Sequence, residues 1–397
     1  MSAPRRILYI AYPMLPVSRE SCGGAEQMLW TVEAEMARRG HRTTVAACDG
    51  SNVSGEVFAT GAAPHEVDAF AKREAQHTTR IFELLERERF DLVHDHSGCF
   101  WRHALSGALS GAPALPGFGR CGSNAIPLLA TLHLPRSMYP ADAFSPELLG
   151  ARGSGLPAVF FNCVSESQLR TFHDVPQVLG VVRNGIRLEL FPAAPRSSAL
   201  LPGTRKSELG TAPGSKRRAR YLLWLGRICE EKGTHVAIEV ARRSGLPLVI
   251  AGDVYRFSYH QAYFEREVRP HLHGNVYFVQ RPSAEEKLEL LRGARALLIT
   301  SLIDETSSLV AMEAMACGTP VVAFRRGALP EVVRDGVTGI LTDTPEQMSV
   351  AIERAGTIDP AACRAHVEEN FPATRMADDH ERLYDRLTTA ADVAGAA

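Results

Sequence analysis

Residues 304–324 read DETSSLVAMEAMACGTPVVAF, and this stretch decides how the second half of the chain is interpreted. Apolar residues recur at helical spacing from Leu309 onward, Gly318 takes the position of a helix C-cap, and an apolar run follows Pro320. The pattern predicts a helix over about 308–317 followed by a buried strand. A strand that follows a helix so closely is typical of parallel α/β architecture.

The same alternation of short apolar runs and helix-length amphipathic segments extends over the whole chain. The predicted fold class is therefore α/β, with two Rossmann-like domains whose parallel sheets face a central cleft, since open parallel sheets bind ligands at the carboxyl ends of their strands. The predicted strands lie at 7–11, 44–47, 92–94, 128–132, 159–164 and 179–182, and then at 221–225, 248–251, 276–279, 296–300 and 321–324.

Two stretches rich in small residues and proline interrupt this pattern. Residues 193–219 lack periodicity and predict a linker or long loop, and residues 106–124 predict a surface insertion. The predicted organisation is an N-terminal domain at 1–190, a linker at 191–219, a second domain at 220–372 and a C-terminal helix at 373–397.

The composition excludes several classes of protein. Forty-four Lys and Arg residues against 45 Asp and Glu leave a net charge of −1, so no overall field would gather nucleic acid. No apolar run approaches the ~18 residues of a membrane span. Eight cysteines without a C-x-x-C pair argue against a zinc site and a disulfide framework. We expect a cytoplasmic protein with at most peripheral membrane contact.

Glu305 and Glu313 flank the start of the predicted helix. The backbone N–H groups of Thr306, Ser307, Ser308 and Leu309 and the positive end of the helix dipole suit a diphosphate. A carboxylate on each side, about 12 Å apart at the helical rise per residue, suits the hydroxyls of a ribose and a sugar. The alternative is structural, with Glu305 as a dipole partner of the first turn and Glu313 paired with a buried arginine.

Arg227 and Lys232 lie in the loop that follows the predicted strand YLLWL. This loop is at the carboxyl edge of the second sheet, where two cations would neutralise a diphosphate without a metal. Exposed side chains in a solvated loop are the alternative. The chain also contains neither Asp-x-Asp nor a G-x-x-x-x-G-K-[ST] phosphate loop, so we expect no bound metal.

Two features of the first half are candidates for ligand contact. Gly23 and Gly24 precede a predicted helix and would let the backbone approach a phosphate or a sugar closely, although an ordinary turn is an equal alternative. His133 ends a predicted strand and would point its ring toward the cleft; a structural histidine is the alternative.

Together these motifs resemble those of the family 4 glycosyltransferases of GT-B fold, over nearly the whole chain. Glu-x7-Glu running into AMACGTPVVAF carries the resemblance. The other features of the family are also present and occur along the chain in the expected order. They are the Gly23-Gly24 loop, His133, the serine-containing stretch 164–167, Asn184-Gly185-Ile186, Arg227 with Lys232, and PEVVRDGVTGIL. The chain departs from the family at Ser307-Ser308, where Phe-Gly is common, so hydroxyls are available there for donor contacts.

The resemblance implies a retaining, metal-independent glycosyltransferase that moves a sugar from a UDP- or GDP-linked donor to a hydroxyl of a glycan, lipid or small molecule. It implies that Arg227 and Lys232 hold the diphosphate, Glu313 the ribose, Glu305 the sugar hydroxyls, and His133 the sugar from the facing domain. It also implies that the terminal helix crosses back to the first domain. A sugar-nucleotide epimerase or phosphorylase of the same shape is the alternative, and a non-catalytic nucleotide-sugar-binding protein is a third reading.

Overall fold

The structure, a computed structural model, describes residues 3–21, 23–64, 70–109, 126–149, 159–192 and 221–395. The chain divides into two compact units. Unit 1 comprises Met1–Gly185 and Ala373–Ala397, and unit 2 comprises Ile186–Pro372. Each unit is built around its own parallel sheet. Two parallel-sheet α/β domains are the predicted fold class, which is confirmed.

Unit 1 contains a seven-stranded sheet in the order β3-β2-β1-β4-β5-β6-β7, with every pair parallel. The central strand β1, RILYI, is buried at four consecutive positions because helices cover both faces of such a sheet. Its strands are β1 Arg6–Ile10, β2 Arg42–Ala47, β3 Glu56–Ala59, β4 Leu92–Asp95, β5 Leu128–Thr131, β6 Val159–Cys163 and β7 Val178–Val181. Its helices are α1 Gly24–Arg38, α2 Phe70–Arg87, α3 Phe100–Leu109, α4 Pro146–Leu149, α5 Glu166–Thr171 and, from the end of the chain, α13 Ala373–Gly395.

Unit 2 contains a six-stranded parallel sheet in the order β10-β9-β8-β11-β12-β13. The order reverses between β8 and β11, which makes their carboxyl ends the switch point of the sheet. The strands are β8 Leu222–Arg227, β9 Leu248–Asp253, β10 Val276–Gln280, β11 Ala296–Ile299, β12 Val321–Phe324 and β13 Gly339–Thr342. The helices are α6 Thr234–Ser244, α7 Ser258–Tyr263, α8 Ala284–Gly293, α9 Leu309–Ala316, α10 Leu329–Val332, α11 Pro345–Ala355 and α12 Pro360–Asn370.

Local sequence signals account for several helix ends. Ser283 and Glu286 form a capping box at the start of α8, and Thr344 caps α11 with its side chain. Gly245 adopts the left-handed conformation that ends α6. Within the described residues, no helix is long and apolar enough to cross a lipid bilayer.

The chain passes between the units at two adjacent places. The Gly185 N–H lies 3.3 Å from the Met376 sulfur within unit 1, and the Ile186 N–H donates to the Phe371 carbonyl oxygen within unit 2. Unit 2 therefore begins at Ile186, earlier than the predicted end of the first domain at 190, and α13 is part of unit 1. The predicted linker at 191–219 lies outside the described residues from residue 193 onward. The predicted insertion at 106–124 overlaps the end of α3 as far as residue 109, and its remainder lies outside the described residues.

Candidate active site

Arg227 is the last residue of β8, at an edge where the backbone approaches β9 closely. A Cβ at Gly252, whose φ is +152°, would lie 1.8 Å from the Gly226 carbonyl oxygen, so this position requires glycine. The Arg227 guanidinium donates to the Glu231 carboxylate at 3.1 Å and lies over the Tyr255 ring, 5.5 Å from its centroid. With 33% of its side chain exposed, the cation is accessible to an anionic ligand.

Lys232 and Glu305 form an ion pair across the switch point of the unit 2 sheet. Lys232 follows β8 and Glu305 follows β11, the two neighbouring strands between which the order reverses. The Lys232 Nζ lies 2.6 Å from the Glu305 Oε1, and the Ser301 hydroxyl donates to the same oxygen. Ligands of open α/β sheets bind at this place in the topology.

Backbone contacts fix the loop that carries Lys232. Gly233 has a φ of +65°, and a Cβ there would lie 2.2 Å from the Thr300 carbonyl oxygen. The Thr300 hydroxyl donates to the Gly233 carbonyl at 2.7 Å, and the Leu302 N–H donates to the Glu231 carbonyl at 2.8 Å. The β8 loop and the end of β11 are therefore one assembly.

The segment 326–328 holds Glu305 from its other side. Gly327 has a φ of +53°, and a Cβ there would lie 2.3 Å from the Glu305 carbonyl oxygen. The Ala328 N–H donates to that oxygen at 2.7 Å, and the Arg326 guanidinium donates to the Leu302 carbonyl at 2.6 Å. These contacts have no signal in the sequence, because no spacing links Gly327 to Glu305.

Helix α9 begins at Leu309, with Ser308 at its N-cap and no side-chain capping bond. The predicted helix is thus one residue too long at each end. The residues from Glu305 to Ser308 are not helical, so the helical rise from which the ~12 Å separation was derived does not apply to the whole stretch. Only the four steps from Leu309 to Glu313 rise as a helix, which is about 6 Å.

Glu313 is buried in α9 and is paired with a cation from α8. Its Oε1 lies 2.6 Å from the Lys287 Nζ, with only 5% of the Glu313 side chain exposed. Its second oxygen, Oε2, is buried without a hydrogen-bond partner. The partner is thus a lysine and not the buried arginine of the structural alternative. An unsatisfied buried acceptor is costly, and a hydroxyl donor would satisfy it.

In unit 1, the glycine at the start of α1 lies against a carboxylate. Gly23 is the N-cap residue, and a Cβ there would lie 1.9 Å from the buried Glu26 carboxylate. The missing side chain at Gly23 is therefore explained by packing within this turn. A phosphate at the first turn, beside Gly24, would have to displace the Glu26 carboxylate from Gly23, so the ordinary turn accounts for this feature better.

His133 follows β5 and is stacked on another histidine. The His133 Nε2 lies 2.9 Å from the His96 Nδ1, and the ring centroids are 5.1 Å apart. Burial lowers the pKa of His133 to about 4, so the ring is neutral at pH 7. The neighbouring Asp95, between His94 and His96, accepts hydrogen bonds from the Ser97 and Trp101 N–H groups at the start of α3 and so has a structural role.

The structure thus brings together the unit 2 residues that the sequence analysis selected. Lys232 and Glu305 are in contact, Arg227 ends the strand β8 that leads into the Lys232 loop, and α9 carries Glu313 directly after the Glu305 loop. Lys287 was missed, since a lysine 26 positions from its partner has no local signature.

Two family models match this chain. The model of glycosyltransferase family 4 matches residues 22–190, and the model of glycosyl transferases group 1 matches residues 208–363. Together the two models cover most of the sequence, one in each half.

Curated relatives and solved structures agree with this match. D-inositol 3-phosphate glycosyltransferase of Thermobispora bispora is 26% identical over 340 residues, which are 78% of this chain and 74% of that protein. Sucrose-phosphate synthase from Thermosynechococcus elongatus has a TM-score of 0.73 at 19% identity, covering 97% of this chain and 100% of the other. HepE of Anabaena, solved in complex with UDP-glucose, has a TM-score of 0.70 at 18% identity, covering 96% and 100%. The chain therefore belongs to the family 4 glycosyltransferases of GT-B fold and is a glycosyltransferase.

Proposed function

We propose that this glycosyltransferase moves a sugar from a nucleoside-diphosphate sugar to a hydroxyl acceptor, with retention at the anomeric carbon and without a divalent metal. The observation that carries the proposal is the Lys232–Glu305 pair at the switch point of the unit 2 sheet. A cation and a carboxylate at one position match a ligand that carries an anionic diphosphate next to a polyhydroxylated sugar.

Arg227 and Lys232 are assigned to the diphosphate. Each is about one-third exposed and each is paired with a carboxylate, Glu231 and Glu305 respectively. A diphosphate at this edge would bond to the remaining donors of both cations. The N-terminus of α9 at Leu309 would add a positive dipole end, and the N–H groups from Thr306 to Ser308, in the loop before it, are further donors for the diphosphate.

The two glutamates are assigned to opposite ends of the donor. Glu305, at the end of the β11 loop and beside Lys232, would accept bonds from the transferred sugar. Glu313, one turn inside α9, would accept a ribose hydroxyl with its unpartnered Oε2. UDP-glucose, the ligand of HepE, and GDP-linked sugars have this layout of base, ribose, diphosphate and sugar.

In the proposed reaction, the bond from the anomeric carbon to the diphosphate oxygen breaks, and the bond to the acceptor oxygen forms on the same face. The acceptor proton passes to the departing phosphate oxygen. The protein then contributes positioning and the stabilisation of charge on the diphosphate by Arg227, Lys232 and the α9 N-terminus.

A transfer assay tests the proposal. UDP- and GDP-linked sugars are supplied with an acceptor panel that includes inositol 3-phosphate, the acceptor named for the relatives. We expect a product whose anomeric configuration by NMR matches that of the donor, formed equally well in excess chelator. An inverted product would overturn retention, and loss of transfer in chelator with recovery on adding magnesium or manganese would overturn metal independence.

Variants test the residues. Lys232→Ala and Arg227→Ala should each lower kcat/KM, with a loss of ~2 to 4 kcal/mol of transition-state stabilisation. The reason is that both side chains are assigned to the diphosphate, whose negative charge grows as it departs. Arg266→Ala, which removes an exposed arginine of unit 2 paired with Glu267, is the matched control and should leave kcat/KM unchanged. Normal kinetics with a lowered melting temperature in Lys232→Ala would show that Lys232 is structural.

A further inference from the structure

A group of three metal-ligating side chains lies beside Arg227, and the proposed function gives none of the three a contact with the donor or the acceptor. Cys229 and Glu231 follow β8, and His260 lies on α7. One ligand atom from each, a thiol sulfur, a carboxylate oxygen and an imidazole nitrogen, lie within 4.8 Å of one another. Within the part of the chain that the structure describes, this is the only such group of three.

His260 is the second observation that points to a ligand. The residue is 1% exposed, and neither ring nitrogen has a hydrogen-bond partner. The rings of Tyr255, Phe257 and Tyr259 lie against the His260 ring, the closest with a centroid distance of 4.3 Å. A buried imidazole without partners bears the desolvation cost of each unsatisfied nitrogen. A metal bound to one nitrogen would remove part of that cost.

From this arrangement we propose that Cys229, Glu231 and His260 form a zinc site at the carboxyl edge of the unit 2 sheet. Sulfur, nitrogen and oxygen ligands in one set suit Zn²⁺, which prefers tetrahedral sites with these donors. Bonds of about 2.0 to 2.3 Å require ligands about 3.5 Å apart, so side-chain movements of about 1 Å complete the geometry. Three protein ligands leave the fourth position open for water or an exchangeable ligand.

The charges around the site are compatible with a divalent cation. Two positive groups are near the site: Arg227 interacts electrostatically with all three ligands and donates to Glu231, and Lys232 interacts with Cys229 and is itself paired with Glu305. On binding, the Cys229 thiol loses its proton to solvent and becomes a thiolate, so the set supplies two negative charges with Glu231. This site is separate from the metal-free transfer chemistry proposed above: it goes beyond that function, and its test uses no transfer assay.

Cobalt binding tests the proposal on the full chain, after chelator treatment and buffer exchange. Co²⁺ alone is titrated, because a thiolate ligand gives a sulfur-to-cobalt charge-transfer band that surface carboxylates do not give. We expect one Co²⁺ per chain with this band, displaced by Zn²⁺. Absence of the band in the wild-type chain would overturn the proposal.

Variants locate the site. Cys229→Ser should abolish the band, and His260→Gln should weaken Co²⁺ binding by about tenfold or more. Cys363→Ser is the matched control, because Cys363 is also fully buried in unit 2 and its sulfur, like that of Cys229, lies 3.5 Å from a carbonyl oxygen. His366→Gln is the histidine control. Circular dichroism checks folding, and His260→Gln keeps the test decisive if Cys229→Ser does not fold. Equal losses in the ligand variants and the controls would overturn the site.

Discussion

Glu305 and Glu313 each pair with a lysine from a different element, and this difference separates their roles. Glu305 meets Lys232 at the sheet edge, with 12% of its side chain exposed. Glu313 meets Lys287 from α8 and keeps one buried oxygen without a partner. If Glu313 bonds the ribose and Glu305 the transferred sugar, the bare nucleoside diphosphate contacts only Glu313.

Glutamine at each position tests this division by removing charge while keeping size. Glu313→Gln should weaken binding of the cognate nucleoside diphosphate by ~1.5 to 3 kcal/mol, the range for a hydrogen bond to a charged group. Glu305→Gln should leave that binding nearly unchanged and lower kcat. Calorimetric titration measures the first effect and steady-state kinetics the second.

Glu285→Gln is the control for the glutamine variants, because Glu285 is an exposed glutamate in the first turn of α8. It should change neither quantity. Equal losses of nucleotide affinity in Glu305→Gln and Glu313→Gln would contradict the division of roles. No loss in either would remove both glutamates from the donor site.

At the scale of elements, the Glu305 loop lies against the segment 326–328, with its closest backbone approach at Gly327. Gly327 and Gly336 both have positive φ, +53° and +76°, so alanine is conformationally strained at either position. A Cβ at Gly327 would also lie 2.3 Å from the Glu305 carbonyl oxygen, whereas at Gly336 nothing lies within 4 Å. The two alanine variants therefore differ in the clash and not in the strain.

Gly327→Ala should lower kcat/KM by about tenfold or more, because displacing Glu305 by about 1 Å at the reacting centre has a large kinetic cost. Gly336→Ala should lower the melting temperature, because alanine is strained there as it is at position 327, and should leave kcat/KM near the wild-type value. Paired kinetics and thermal unfolding separate the two effects. Equal kinetic losses in both variants would show that the Gly327 contact does not position Glu305.

The elements that sequence reasoning missed are at the edges of the sheets. β3, EVFA, and β13, GILT, are four-residue edge strands, and their short runs give no clear alternation. The central strands were found because burial on both faces makes them continuously apolar. The sequence pattern assigned Glu305 and Lys232 to the donor but did not predict their contact, because that contact depends on β8 and β11 being neighbours in the sheet.

Contacts that depend on three-dimensional proximity alone could not be predicted. Lys287 reaches Glu313 from another helix, and Gly327 meets Glu305 through a close backbone approach. His260 is distant in sequence from Cys229, so the spacing rules for zinc sites could not detect the group. These residues carry no motif because their chemistry arises from packing and not from local pattern.

At the scale of the whole molecule, unit 1 buries a set of histidines that are neutral in the folded state. Burial lowers the pKa of His77 and His380 to about 3 and that of His133 to about 4, and holds those of His94 and His96 well below their usual value. Thr131, Tyr9 and Tyr384 contribute neutral hydroxyls to this set, and burial raises the pKa of both tyrosines, whereas the positive charge of Arg73 further lowers the pKa of His77. Helix α13 closes over this set through Tyr384, which lies 2.7 Å from the His94 Nδ1.

This set gives the folding stability of the chain a definite pH dependence. In the unfolded chain the histidines bind protons below about pH 6.5, whereas in the folded chain they stay neutral down to about pH 4. The unfolded state therefore binds more protons, and the free energy of unfolding must fall as pH falls through this window. Each such histidine contributes a slope of up to ~1.4 kcal/mol per pH unit. Few carboxyl groups titrate above about pH 5.5, so the range from about pH 7.5 to about 5.5 isolates the histidines.

Urea unfolding across that range should show a steady loss of stability with acidification, and hydrogen exchange should place the lost protection mainly in unit 1. His380→Gln removes one member of the set without removing Tyr384, and its stability should vary less with pH than that of the wild type. His366→Gln is the control, because His366 is a half-buried histidine of unit 2. Its Nε2 is hydrogen-bonded to the Val332 carbonyl oxygen and its Nδ1 to the Asn370 amide, both in the same unit. A flat stability profile in the wild-type chain would contradict the neutral state of the buried histidines. Loss of protection confined to unit 2 would assign the pH dependence to other groups.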